Sequence, residues 1–146
     1  MKVEIEIDGK YIEPSTVIYT NKVTEEISRI VEILKEDKPN VINGFKDEEV
    51  YIVKLDDIEK IYALNGKVFL ETENNTLEIK RRIYELEEIL PKKNFFRISN
   101  SEIINFDKVK NIELKIYGTL NIHFNSGKTA YASRRYIKKI KEFLGL

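Results

Sequence analysis

The stretch Phe95-Phe96-Arg97-Ile98-Ser99-Asn100-Ser101-Glu102-Ile103-Ile104-Asn105 decides the fold of this 146-residue chain. The apolar run from Phe95 to Ile98 predicts a β-strand, and Ser99-Asn100-Ser101 after it predicts a turn. The segment Ile103–Phe106 fits either a second strand or a helical turn. Hydrogen-bonding side chains in a turn at the end of a strand are typical of binding sites, so this turn is a candidate functional loop.

Two further loops have the same character, Asn65-Gly66-Lys67 and Ser133-Arg134-Arg135. Arg side chains can pair with guanine and Asn side chains with adenine, while Ser hydroxyls and Lys amines suit phosphates. Asn and Ser are also ordinary turn formers, and two Arg at a helix start are commonly surface charge. The spacing alone favours the ordinary interpretation.

Outward from this stretch, period-two patterns and turn signals predict a β-meander from residue 49 onwards. The predicted strands are 49–54, 58–63, 67–72, 76–82, 95–98, 109–117, 120–124 and 128–132. A short helical stripe at 83–90 is closed by Pro91, and residues 134–146 form a basic amphipathic helix. The pattern predicts a mostly β chain with few helices, α+β overall.

Residues 1–46 predict a small β-β-α-β segment with a boundary to the second domain, 47–146. Its predicted elements are strands at 2–7 and 16–20, a helix at 21–35 capped by Thr20 or Asn21, and a short strand at 41–42. Lys38-Pro39-Asn40 ends the helix, and Asn43-Gly44 starts a polar connection. The segment is too small for a rich core, so we expect it to serve dimerisation or regulation, packed on the rest or on a second subunit.

The formal net charge of zero conceals an asymmetry along the chain. Residues 92–146 carry twelve Lys and Arg against four Asp and Glu, whereas residues 1–91 carry 13 against 21. A basic half suits a polyanion such as nucleic acid. Chance segregation of solvated charge, or docking of the acidic half on the basic half, would give the same asymmetry.

Several function classes are excluded by composition. The chain has no Cys and only one His, His123, which rules out thiolate catalysis and Cys- or His-rich metal centres. The acidic pairs Glu48-Glu49 and Asp56-Asp57 are typical of solvated turns. We therefore predict no enzymatic activity, cofactor, metal or small-molecule substrate, and a soluble cytoplasmic protein without membrane insertion.

The residues 95–105 quoted above resemble a signature of the LytTR-type DNA-binding domain family: an aromatic, Arg, a polar turn with Ser, and hydrophobes ending in Asn. Asn125-Ser126-Gly127-Lys128 and Tyr131-Ala132-Ser133-Arg134-Arg135-Tyr136 resemble the second signature, and residues 58–72 resemble the first hairpin. The resemblance covers residues 48–146 and departs at Ser99, where the family commonly has His. It implies an elongated β fold that binds duplex DNA by placing loops in successive major grooves, as in the stand-alone regulators of Gram-positive bacteria.

The resemblance also implies roles for individual residues. Asn100 and Arg135 match base-reading positions, and Lys67 falls near the corresponding hairpin position. Ser101, Ser133 and Lys138 match phosphate positions, and Arg134 and Lys128 are added from charge and placement. The implied function is a sequence-specific transcriptional regulator, a homodimer on two half-sites; the alternative is a module whose basic half binds an acidic protein.

Overall fold

A computed structural model describes residues 1–35 and 40–146. The chain divides into two compact units, residues 1–37 and 38–146, each of which is described by itself. The elements are α1 (Glu25–Lys35), β1 (Val41–Lys46), β2 (Glu49–Lys54), β3 (Ile58–Leu64), β4 (Lys67–Thr72), β5 (Thr76–Ile79), α2 (Ile83–Ile89), β6 (Phe95–Ser99), β7 (Glu102–Asn105), β8 (Val109–Leu114), β9 (Leu120–Phe124), β10 (Thr129–Ala132) and α3 (Arg134–Leu144). The mostly β fold with few helices is confirmed.

The first unit contains α1 and extended chain. The predicted strands at 2–7 and 16–20 are wrong: among the residues that the structure describes, neither segment is a strand. Two short strands alone are marginally stable in water. The helix begins at Glu25, later than predicted, where the Thr24 hydroxyl accepts a hydrogen bond from the Ile27 N–H at 3.3 Å. The predicted helix terminator at residues 38–39 lies outside the described residues.

Seven antiparallel strands form the larger sheet of the second unit, in the order β2-β1-β5-β4-β3-β7-β6. The expected polar connection at Asn43-Gly44 is wrong: both residues lie inside β1, and the turn comes at Asp47-Glu48, where φ is positive at both residues. A Cβ on Gly44 would lie 2.7 Å from the Leu77 side chain, so the glycine allows β1 to approach β5. Because β1 pairs with both β2 and β5, hydrogen bonds cross the predicted boundary at 46–47.

One face of this sheet is buried beneath α2, whose Ile83 and Leu86 join a core that includes Ile61, Leu70 and Ile103. The segment 103–106, which the sequence left open, is strand to Asn105 and a 3-10 turn from Phe106.

A three-stranded sheet, in the order β10-β9-β8, forms a second core with α3. Alternation along β9 buries Leu120, Ile122 and Phe124, and Ile140 anchors the helix on them. The Phe106 and Phe143 rings stack with their centroids 4.9 Å apart. The C-terminal helix is therefore held to the end of the motif stretch. Among the described residues, no helix has both the length and the apolar character needed to cross a bilayer.

Candidate nucleic-acid interface

The three candidate loops meet at one end of adjoining strands. Tyr62 of β3 lies opposite Glu102 of β7, so the end of β3 and the start of β7 coincide. The Ala63 N–H donates to the Ser101 carbonyl at 2.8 Å, which ties the β3–β4 hairpin to the turn at 99–101. The Ser133 N–H donates to the Ile98 carbonyl at 2.9 Å, which ties the start of α3 to the same turn. Residues separated by 70 positions in the chain thus form one surface.

The central turn, Ser99-Asn100-Ser101, is braced by a single arginine. Arg97 donates to the Ser99 carbonyl at 3.1 Å and to the Asn100 carbonyl at 2.7 Å. Its third nitrogen donates to a carboxylate oxygen of Glu87 on α2 at 2.9 Å. The Ser99 hydroxyl also accepts from the Ser101 N–H at 3.3 Å. The backbone of this exposed turn is therefore held in place from both sides.

The side chain of Asn100 is held by α3. The Tyr136 hydroxyl donates to Asn100 Oδ1 at 3.1 Å, across 36 residues of sequence. Tyr136 is half-buried against the core of the three-stranded sheet, so its hydroxyl is presented from a packed ring. Sequence reasoning did not find this contact, because Tyr136 fits the apolar face of an amphipathic helix equally well.

The α3 helix presents its cations on the face away from its buried Ile140. Arg134, Arg135 and Lys138 are exposed there, while Tyr136 and Ile137 are half-buried. Ser133 is the N-cap, and its hydroxyl makes no capping hydrogen bond. The helix thus places its cations and a free cap hydroxyl beside the central turn.

An open groove runs along the same helix to the turn between β8 and β9. Arg134, Lys138 and Lys141 line it together with Tyr117, a residue that is 89% exposed. Lys141 and Tyr117 were absent from the predicted site. The sequence places Lys141 one helical turn beyond Lys138, a signal that could have found it, but gives none for Tyr117.

Lys67 lies at the start of β4, beside the hairpin tip formed by Asn65 and Gly66, which both have positive φ. Its amine is 3.3 Å from a Glu78 carboxylate oxygen on β5. Hydrogen bonding to Lys67 lowers the pKa of this Glu78 carboxyl below its usual range. The Lys67 side chain is 59% exposed, so its amine remains accessible beside the hairpin.

Lys128 lies away from the three loops. Its amine donates to the Thr72 carbonyl at 2.8 Å, at the far end of β4, about 17 Å along the strand from Lys67. Carboxylate oxygens of Glu59 and Glu71 lie 3.5 and 3.7 Å from the same amine. The Glu59 side chain is only 4% exposed, and its Oε2 makes an ion pair with Lys128 but no hydrogen bond. Lys128 therefore joins the turn before β10 to the larger sheet.

His123 lies on β9 with Nε2 3.3 Å from a Glu113 carboxylate oxygen on β8. Hydrogen bonds from His123, and secondarily from Asn121, lower the pKa of Glu113. Within the described residues, no group of His, Asp and Glu side chains is arranged to hold a metal ion. His123 thus makes a cross-strand pair.

The family model described as "LytTr DNA-binding domain" matches residues 48–145. Two proteins named "Uncharacterized HTH-type transcriptional regulator", from Staphylococcus aureus strains MSSA476 and NCTC 8325, are 32% and 31% identical over 147 residues, covering 100% of this chain and 99% of each relative.

A solved structure, the LytTr DNA-binding domain of a putative methyl-accepting/DNA response regulator from Bacillus cereus, has the same fold. Its TM-score is 0.72 at 23% identity, and the match covers 74% of this chain and 99% of that one. Although the relatives' name includes "HTH-type", the described helices α2 and α3 are separated by five strands and do not form a helix-turn-helix.

Proposed function

We propose that this chain, which belongs to the LytTR family of DNA-binding domains and is a DNA-binding transcriptional regulator, reads a specific duplex sequence. The reading elements are the three loops at one end of its second unit. The observation that carries this proposal is the pair of backbone hydrogen bonds, Ala63 to Ser101 and Ser133 to Ile98, which join the loops. Side chains on a fixed frame can meet base edges with a defined register.

In this proposal Asn100 and Arg135 contact the bases, and Lys67 can reach DNA from the neighbouring hairpin. Both Asn100 and Arg135 are exposed at the meeting point of the loops, and Arg can pair with guanine through two hydrogen bonds. Loops and the start of α3 are narrow enough to enter a major groove, which is about 12 Å wide. This arrangement supports reading in the major groove.

The phosphates are contacted by four further residues, Ser101, Ser133, Arg134 and Lys138. Arg134, Lys138 and Lys141 line the same groove between α3 and the β8–β9 turn, which supports contact with the phosphates of one DNA strand. Such contacts fix the register of the protein on DNA and add affinity on any sequence.

Lys138→Ala is expected to weaken binding to all DNA sequences about equally and to reduce the slope of log K against log salt by about one. The reason is that one exposed ammonium no longer releases a counterion. Fluorescence anisotropy on specific and scrambled duplexes across a salt series measures both quantities. The matched control is Lys35→Ala, which removes an exposed lysine of α1 and should leave the slope unchanged. An unchanged slope for Lys138→Ala would show that Lys138 does not contact a phosphate.

We also propose that the regulator is a homodimer, paired through α1. Ile27, Ile30 and Leu34 are spaced by three and four residues, the spacing of a two-helix seam. The helix has no buried residue, and Leu34 is 53% exposed. Burial of this apolar face against a second copy would stabilise α1 and place two DNA-binding units on two half-sites.

Ile30→Asp is expected to convert the dimer to a monomer, because it puts a charge into the proposed seam. The affinity for paired half-sites should then fall by about 10²-fold or more, while the affinity for one half-site should not change. Light scattering and anisotropy measure these effects. Ser28→Asp adds the same charge to the polar face and should change neither; a monomeric wild type, or a dimeric Ile30→Asp variant, contradicts the proposal.

We place the protein in the bacterial cytoplasm, with the DNA that it regulates, and assign it no reaction. This assignment is supported by the family and by the relatives' names.

The decisive experiment is a selection from genomic fragments with the full chain at near-physiological salt, followed by titration of the best fragment against its scrambled sequence. Enrichment of two half-sites about one or more helical turns apart, with clear discrimination against the scramble, is expected. Equal weak binding to both would contradict the proposal and would favour an acidic protein partner for the basic half.

A further inference from the structure

We propose that Tyr136 and Arg97 are positioning residues that hold Asn100 as a hydrogen-bond donor, so that Asn100 selects keto bases, guanine or thymine, over the amino bases adenine and cytosine. The inference rests on the proposed function and adds to it which chemical group Asn100 reads and which residues decide this.

Both oxygens of Asn100 already have partners within the protein. The backbone carbonyl accepts from Arg97 at 2.7 Å, and the side-chain Oδ1 accepts from the Tyr136 hydroxyl at 3.1 Å. The side-chain nitrogen of this exposed residue makes no hydrogen bond to the described part of the chain. The polar group of Asn100 without a partner in the described part of the chain is therefore its amide N–H pair, while one of the two lone pairs of Oδ1 is already engaged.

The two positioning side chains are themselves fixed. Arg97 is anchored on α2 through Glu87 at 2.9 Å, and its side chain is only 24% exposed. The Tyr136 backbone N–H donates to the Ser133 carbonyl at 2.9 Å, in the first turn of α3, and its ring packs on the core of the three-stranded sheet. Because neither group can turn away freely, the amide of Asn100 keeps one orientation before DNA arrives, which reduces the entropy lost on binding.

This orientation changes the base that an Asn is expected to read. Asn usually pairs with adenine through two bonds, in which Oδ1 accepts from N6 and the nitrogen donates to N7. With Oδ1 held by Tyr136, the amide presents donors, which match the two acceptors of guanine, O6 and N7, and the O4 of thymine, whereas adenine offers N7 alone as an acceptor. The exocyclic amino groups of adenine and cytosine present donors in the same place, and two donors that face each other leave both unpaired.

Tyr136→Phe tests the positioning role, because it removes one hydroxyl and leaves the ring in the core. The same fragment selection is run on wild type and variant, and binding is measured on duplexes that carry each of the four bases at the Asn100 position. We expect at least fivefold weaker discrimination between keto and amino bases at this one position, with the salt slope and the affinity for scrambled DNA unchanged. Tyr131→Phe, an exposed tyrosine of β10, is the matched control and should match wild type.

Asn100→Asp tests the donor assignment independently. The variant keeps an oxygen for Tyr136 and loses the N–H pair, so the preferred base should change from keto to amino, with cytosine favoured.

The outcomes of these experiments distinguish failure of the inference from failure of the proposed function. A Tyr136→Phe profile identical to wild type, or an Asn100→Asp variant that still prefers keto bases, overturns the inference and leaves the proposed function standing. A wild-type protein that selects no sequence overturns the proposed function, and this inference with it.

Discussion

Lys128→Met is expected to lower the free energy of unfolding by about 2–3 kcal/mol while leaving the salt dependence of DNA binding unchanged. The Lys128 amine lies 3.5 Å from an oxygen of the buried Glu59 carboxylate, and it also donates to the Thr72 carbonyl. Its removal leaves the buried carboxylate of Glu59 without this ion pair. The loss is smaller than the usual cost of breaking a buried pair because the Lys128 side chain is 36% exposed, and water screens its charge. Urea denaturation measures the change.

Two further variants separate the ion pair from simple loss of charge. Lys138→Met removes an equally long cation from the exposed face of α3 and should change the free energy of unfolding by less than about 0.5 kcal/mol. Glu59→Gln combined with Lys128→Met should recover much of the lost stability, since no buried charge remains. A Lys128→Met protein of wild-type stability with a reduced salt slope would instead make Lys128 a phosphate contact, as the charge pattern predicts.

Arg135→Ala is expected to weaken binding to the preferred sequence by about 1–3 kcal/mol, equivalent to roughly 5- to 150-fold, and to remove the preference at one base position. Arg135 is exposed in the first turn of α3, beside the Ser99-Asn100-Ser101 turn that the Ser133–Ile98 hydrogen bond brings to it. Titration of duplexes that vary at each position locates the base.

Arg135→Lys is the informative companion to this variant. It keeps the charge and loses the planar pair of donors, so most of the discrimination should be lost while the salt slope stays at its wild-type value. Equal weakening on every sequence, or full discrimination with Lys, would contradict base reading by Arg135.

Much of the second unit follows from local sequence. Asn65-Gly66 forms the predicted tight turn, and strands β4, β6 and β9 lie close to where alternation places them, because hydrophobic period and turn chemistry are local properties. The three polar loops were also found from their composition. Local pattern failed at residues 2–7 and 16–20, which are not strands in the described part of the chain. A short strand needs a neighbour with which to share hydrogen bonds, and local sequence does not show whether one is present.

The sequence by itself therefore determined the mostly β character, the turns and the candidate loops, since each depends on residues close together in the chain. Only the tertiary structure decided that these loops meet, that Tyr136 holds Asn100, and that Lys128 lies against Glu59 far from the loops. These contacts span between 35 and 69 residues of sequence, and a Lys or Tyr in sequence does not show which distant group it will face. A cationic side chain can pair with a carboxylate of the protein or with a DNA phosphate, and the packing of strands and helix decides which of these groups lies within its reach.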